Sequence, residues 1–139
     1  MTHDELHKLI AAECLEHTVP LELAEAHAMA ESNFNPDALG DYENGIPMSF
    51  GAMQCHLRGA CSGLTATEAA RPEVNIHRCV SYIRSCLDAF PGDLKTAISA
   101  YNQGIGGARA RGWTFTKVYV ERVLSYMGGF RGIVFCQVK

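Results

Sequence analysis

PLELAEAHAMAESNFNP, residues 20–36, is the stretch on which the reading of the fold turns. Pro20 sits where a helix tolerates proline, at its first turn, and Leu21 to Ser32 contains no glycine, proline or β-branched residue. A helix is predicted there, ended by Asn35-Pro36. Its apolar residues Leu21, Leu23, Ala24, Ala26, Ala28, Met29 and Ala30 spread around the circumference, which marks a helix enclosed on most sides. Ala24, Ala28 and Glu31 follow i, i+4, i+7, so the Glu31 carboxyl lies on a small-residue face that another element or a ligand can approach closely.

Upstream, Thr2-His3-Asp4-Glu5 is a capping box, and Leu6, Leu9, Ile10, Cys14 and His17 continue it at helical spacing. Downstream, residues 37–63 are rich in Gly, Asp, Asn, Ser and Pro without a sustained period, which predicts a long loop of the kind that usually carries function. Thr65-Ala66-Thr67-Glu68 is a second capping box and opens a short helix before Arg71-Pro72. Ile76, Cys79, Val80, Ile83, Cys86, Leu87 and Phe90 form the stripe of a longer helix that stops at Pro91-Gly92. Asp93 caps a helix bearing Leu94, Ala97, Ile98 and Tyr101, which Gly104 terminates. The glycine-rich stretch from Gly104 to Gly112 predicts a second loop, the opposite wall of a cleft. A last helix is expected over Thr116 to Met127, stopped by Gly128-Gly129, with a β-prone tail over Ile133 to Val138.

The chain of 139 residues fits one domain, and 47% hydrophobic with 19% charged residues excludes a disordered or fibrous class. A formal charge of −3 without a basic run excludes the electrostatic footprint of a nucleic-acid binder. No apolar stretch reaches the ~20 residues of a membrane span, and MTHDELHKL lacks the apolar core of a secretion signal, so synthesis in the cytoplasm is expected. Six cysteines invite a disulfide framework, whereas the missing signal points to a reducing compartment. Cys79 and Cys86 lie roughly 10 Å apart along one helix, beyond the ~7 Å limit for a bridge. Cys55 and Cys61 flank a short loop and could pair, but the cysteines read best as ordinary thiols. No C-x-x-C spacing marks a zinc site, and no metal or cofactor is expected.

Four separated blocks occur in the order found in the soluble lytic transglycosylase domain of the goose-type-lysozyme-like superfamily, which the chain resembles over about residues 20–127. They are Ala30-Glu31-Ser32-Asn33-Phe34-Asn35-Pro36, Gly51-Ala52-Met53-Gln54, Ala100-Tyr101-Asn102-Gln103-Gly104 and Tyr119-Val120-Glu121-Arg122-Val123. Pro72-Glu73-Val74-Asn75-Ile76 and Tyr82 are also similar to the family. The resemblance implies an all-α, lysozyme-like single domain over 1–139 with a glycan groove, allowing a short β element in the loop or the C-terminal tail. It implies cleavage of the β-1,4 bond between N-acetylmuramic acid and N-acetylglucosamine in peptidoglycan, with Glu31 as the one acid and base and 1,6-anhydromuramoyl ends as product. Hydrolysis, as by a goose-type lysozyme, is the nearest alternative, and a non-catalytic virion or wall-binding module is the next.

Glycoside cleavage needs a carboxylic acid still protonated near neutral pH, which apolar burial provides. The plain alternative for Glu31 is a solvated helix-end charge. By resemblance, Ser32 orients Glu31 or the substrate's acetamido group. Gly51 gives close backbone approach, Met53 an apolar lip and Gln54 an amide for sugar hydroxyls. Tyr101 and Asn102 face the sugar beside Glu31, although Tyr101 also completes a core stripe, and Tyr119 belongs to the cleft. Ala52 replaces the family's usual leucine, and Phe115 stands where many relatives carry a glutamate. Trp113 stacks on a sugar or anchors its loop. A hydrolase's second carboxylate would have to be Asp37, Asp41 or Glu43, each of which reads first as a turn former or a solvated charge. The whole looks like a monomeric phage lysin or a part of a virion or secretion assembly, acting on glycan strands at the wall.

Overall fold

The computed structural model describes residues 1–138, with side chains described as far as Gly128. Helix α1 (His3–His17) starts at the Thr2–Glu5 capping box and buries Leu6, Ile10 and Cys14 on one stripe. Thr18, in the left-handed conformation with φ 56°, turns the chain into α2 (Leu21–Ser32). Six consecutive residues of α2, Leu23 to Ala28, are buried. At about 100° per residue they cover the whole circumference, so α2 is the central helix that its scattered apolar pattern predicts.

The chain continues as α3 (Ala66–Ala70), α4 (Pro72–Ala89), α5 (Leu94–Gln103), α6 (Ile105–Arg111) and α7 (Lys117–Val138), with a 3-10 turn at Trp113–Thr116. Helix α7 lies along α2, and α4 lies between α1 and α5. Leu6, Ile10, Leu23, Met53, Ile76, Ile83, Ile98, Val120 and Val123 are fully buried and come from α1, α2, α4, α5, α7 and the segment after α2. Among the described residues no helix is long and apolar enough to cross a membrane.

The segment after α2 holds three two-residue strands, β1 (Leu39–Gly40), β2 (Ser49–Phe50) and β3 (Cys55–His56), antiparallel in the order β1-β2-β3. The sheet is fixed from beneath by Asn75 of α4. This side chain is 1% exposed and donates to the Phe50 carbonyl at 2.5 Å and the Ala69 carbonyl at 3.0 Å. Gly51 lies against the same carboxamide with φ +79°, and a Cβ there would stand 2.7–2.8 Å from its atoms. Glycine is therefore required by both conformation and space.

Three expectations are corrected. The Gly104–Gly112 stretch is not a loop, because Ile105–Arg111 is helical, with Gly104 (φ 88°) and Gly112 (φ 76°) as its flanking caps. Buried Ala108 packs it onto Cys86, Ala97 and Ala100, enough to override the ~1 kcal/mol cost of each internal glycine. The last helix does not stop at Gly128-Gly129 but continues to Val138, so the tail is helical and not β.

The reading of the cysteines as ordinary thiols fails for Cys55 and Cys61, which form a disulfide with Cα atoms 5.5 Å apart, within bridging distance, and holds for Cys14, Cys79 and Cys86, which are buried free thiols. Closing this six-residue separation restrains the unfolded chain by about 2 kcal/mol. Reduction should lower the urea midpoint accordingly, and an identical midpoint with and without reductant would contradict the bridge.

Candidate active site

Glu31 occupies the last turn of α2, where the helix dipole already disfavours an anion. It lines a cavity of about 260 Å³. One wall comes from the sheet segment, through Asp41, Ser49, Gln54, His56 and Arg58. The other comes from Tyr82 of α4 and the C-terminal end of α5, Tyr101, Asn102, Gln103 and Gly104. The opposing wall is thus a helix end, not the predicted second loop. A neighbouring hollow of about 440 Å³ shares Asp41, His56 and Asn102 and adds Tyr42 and Glu43, which extends the concavity along the sheet.

Burial raises the Glu31 pKa from the usual 4.5 to about 7. The hydrogen bond from Tyr119 pulls it back, Asp41 across the cavity raises it and Arg122 lowers it. Tyr119 Oη donates to Glu31 Oε2 at 2.8 Å, and His27 Nδ1 lies 2.8 Å from the same phenolic oxygen. His27 is 1% exposed, and burial pushes its pKa down to about 3, so it is neutral. With the tyrosine proton committed to Glu31, the single imidazole proton must sit on Nδ1 and point at Tyr119. The result is a relay, His27 to Tyr119 to Glu31, whose last member is the only one open to the cavity.

The residues predicted from sequence separate into two groups. Glu31, Gln54, Tyr101 and Asn102 line the cavity together. Tyr101 is both cleft and core: its hydroxyl donates to the Met53 carbonyl at 2.7 Å and its ring packs 4.3 Å from His27. Tyr119 is buried behind Glu31 and reaches the cavity only through it. Gln54 spends both amide protons on the carbonyls of Ala38 (3.2 Å) and Gly51 (2.9 Å), which leaves its oxygen as the acceptor.

Ser32, Gly51 and Met53 do not line the cavity. The Ser32 hydroxyl donates to the Ala52 carbonyl at 2.6 Å and accepts from the Asn35 amide, tying the helix end to the sheet segment instead of orienting Glu31. Gly51 makes room for Asn75, not for a ligand. Met53, expected as an apolar lip, is 0% exposed and belongs to the core. Trp113 packs against the core with the Lys95 ammonium 4.6 Å above its ring, so it anchors its turn. Phe115 is exposed and covered by the Arg111 guanidinium at 4.3 Å.

Sequence reading missed His27, although its place four residues before Glu31 on one helix puts both on the same face. It also left the state of Asp41 open. Asp41 lines the cavity and accepts a 2.5 Å hydrogen bond from Ser49, while Glu43 is paired with Arg58 on the exposed rim. Asp37 is absent from the lining.

Two outcomes are expected. Tyr119→Phe removes the donor that favours the ionised carboxyl, so the alkaline limb of a pH–rate profile should move to higher pH; no shift, or a downward one, would contradict the bond. Because the folded-state pKa exceeds 4.5, the folded chain binds more protons between pH 4.5 and 7, and stability falls as pH rises through that window. Glu31→Gln lacks this ionisation cost and should raise Tm more at pH 8 than at pH 5, whereas an equal change at both would contradict it.

No curated protein matches the chain. The family model of the transglycosylase SLT domain matches residues 8–115, from within α1 to the 3-10 turn. This match stops short of Tyr119, whose place in the site rests on its bond to Glu31. With well over half its length covered and Glu31 in the walled cavity, the chain belongs to the transglycosylase SLT domain family, whose activity is lytic transglycosylation of peptidoglycan.

Proposed function

We propose that Glu31 is the single acid and base of a lytic transglycosylase that cleaves the β-1,4 bond between N-acetylmuramic acid and N-acetylglucosamine. The observation that carries this reading is a carboxyl with a pKa of about 7 opening into a walled cavity in a chain of this family. The protonated acid donates to the glycosidic oxygen as the bond from the anomeric carbon breaks. The resulting carboxylate then takes the proton of the muramoyl 6-hydroxyl, whose oxygen attacks the anomeric carbon to close a 1,6-anhydro ring. Glu31 ends protonated, ready for the next turn. A pKa near neutrality suits both halves, since each proton transfer is then close to balanced.

Tyr119 and His27 hold the acid in place from behind. Asn102, Gln54 and Tyr101 line the space beside it and are the residues we assign to sugar contacts.

Hydrolysis remains the second reading because of one observation: Asp41 lines the same cavity, held by Ser49, where a second carboxylate could activate water. Digestion of purified peptidoglycan followed by mass spectrometry separates the two. Anhydro ends that persist in Asp41→Asn are expected; reducing ends, lost in that variant, would overturn the lyase reading. Glu31→Gln should slow digestion by ~10²–10⁴-fold or more. Undiminished digestion by that variant would overturn both, and absence of digestion by the unaltered protein would favour a binding module.

A further inference from the structure

On the face of the molecule formed by α1 and α4, none of whose three residues below lines the cleft, two histidines converge on one carboxylate. Glu13 and His17 are one turn apart on α1, and His77 projects from the first turns of α4, which packs against it. His77 Nδ1 lies 2.8 Å from Glu13 Oε1, His17 Nδ1 lies 3.4 Å from the same oxygen, and the two rings stand 5.2 Å apart at 62°. One ligand atom from each residue can be chosen so that all three fall within 4.8 Å of one another.

We propose that Glu13, His17 and His77 form a divalent transition-metal site that staples α1 to α4. Nitrogen and oxygen ligands at ~2.0–2.1 Å from a tetrahedral ion are ~3.3 Å apart; His77 Nδ1 and Glu13 Oε1 stand 2.8 Å apart, and His17 Nδ1, 3.4 Å from that oxygen, also lies 3.0 Å from the Glu13 main-chain carbonyl, a contact it gives up when it binds the ion. Two imidazoles with one carboxylate suit a borderline ion such as Zn²⁺ better than Mg²⁺ or Ca²⁺, which demand oxygen ligands. The side chains of Glu13 and His17 are 21% and 19% exposed and that of His77 is 55% exposed, so an ion can enter from solvent and water can fill the fourth position. Neither helix supplies the set alone, which is why no single spacing motif in the sequence reveals it.

An ion bound only by the folded chain stabilises it by mass action, and here it would link two helices distant in sequence. The test is calorimetric titration of tag-free, chelator-stripped protein with Zn²⁺, paired with thermal unfolding and with Co²⁺ absorption. The expected result is one saturable site, a Tm several degrees higher with Zn²⁺ than with chelator, and a visible Co²⁺ band of four-coordinate intensity. His77→Ala and His17→Ala should each abolish all three signals while leaving circular dichroism unchanged. His3→Ala/His7→Ala, at the start of α1, should leave them intact. No saturable binding, or binding that survives both single variants, would overturn the proposal. Should either alanine variant fail to fold, His77→Asn replaces it with the same expectations.

Discussion

The structure depends on keeping one carboxyl neutral at the end of a helix that offers it no help. Burial, the negative end of α2 and the facing Asp41 all oppose ionisation of Glu31, and the Tyr119 hydroxyl with Arg122 only partly restores it. The balance lies near neutrality, where an acid can both give and regain a proton. Tyr119 has a second role that is geometric: anchored by neutral His27, it fixes the carboxyl from the protein side and leaves the other side to the cavity.

That arrangement explains much of the surrounding packing. Alanines at 24, 26 and 28 let α2 sit at the centre with neighbours close on every side, so its last turn is carried into the interior. The sheet segment is then tied down by polar contacts that replace an apolar core of its own. Ser32 bonds to Ala52, Asn75 bonds to Phe50, Tyr101 bonds to Met53 and the Cys55–Cys61 bridge closes the far end. These ties hold one wall of the cavity against the end of α5, which supplies the other.

Much of the helical framework was legible because its punctuation is local. Capping boxes at Thr2 and Thr65, Pro20, Pro72, Asp93 and Gly104 set boundaries through contacts within a turn or two. The misread elements depend on distant partners. Helix α6 forms around Gly106 and Gly107 because Ala108 finds a buried socket, which no local pattern encodes. Four of the predicted site residues meet at the cavity because their motifs end elements that converge there. Ser32, Gly51 and Met53 were assigned to the ligand and instead bind the wall together, since a motif records that residues matter to a site without recording which side of it they face. Asp41 reached the cavity through the hairpin that pairs Gly40 with Ser49, a register invisible before the strands are seen.

The most direct test is the ionisation of Glu31 itself. A carbon-13 titration of the glutamate side-chain carboxyls, with the Glu31 resonance assigned by its loss in Glu31→Gln, should give a midpoint near pH 7. A midpoint near 4.5, the value of an ordinary solvated glutamate, would contradict the account.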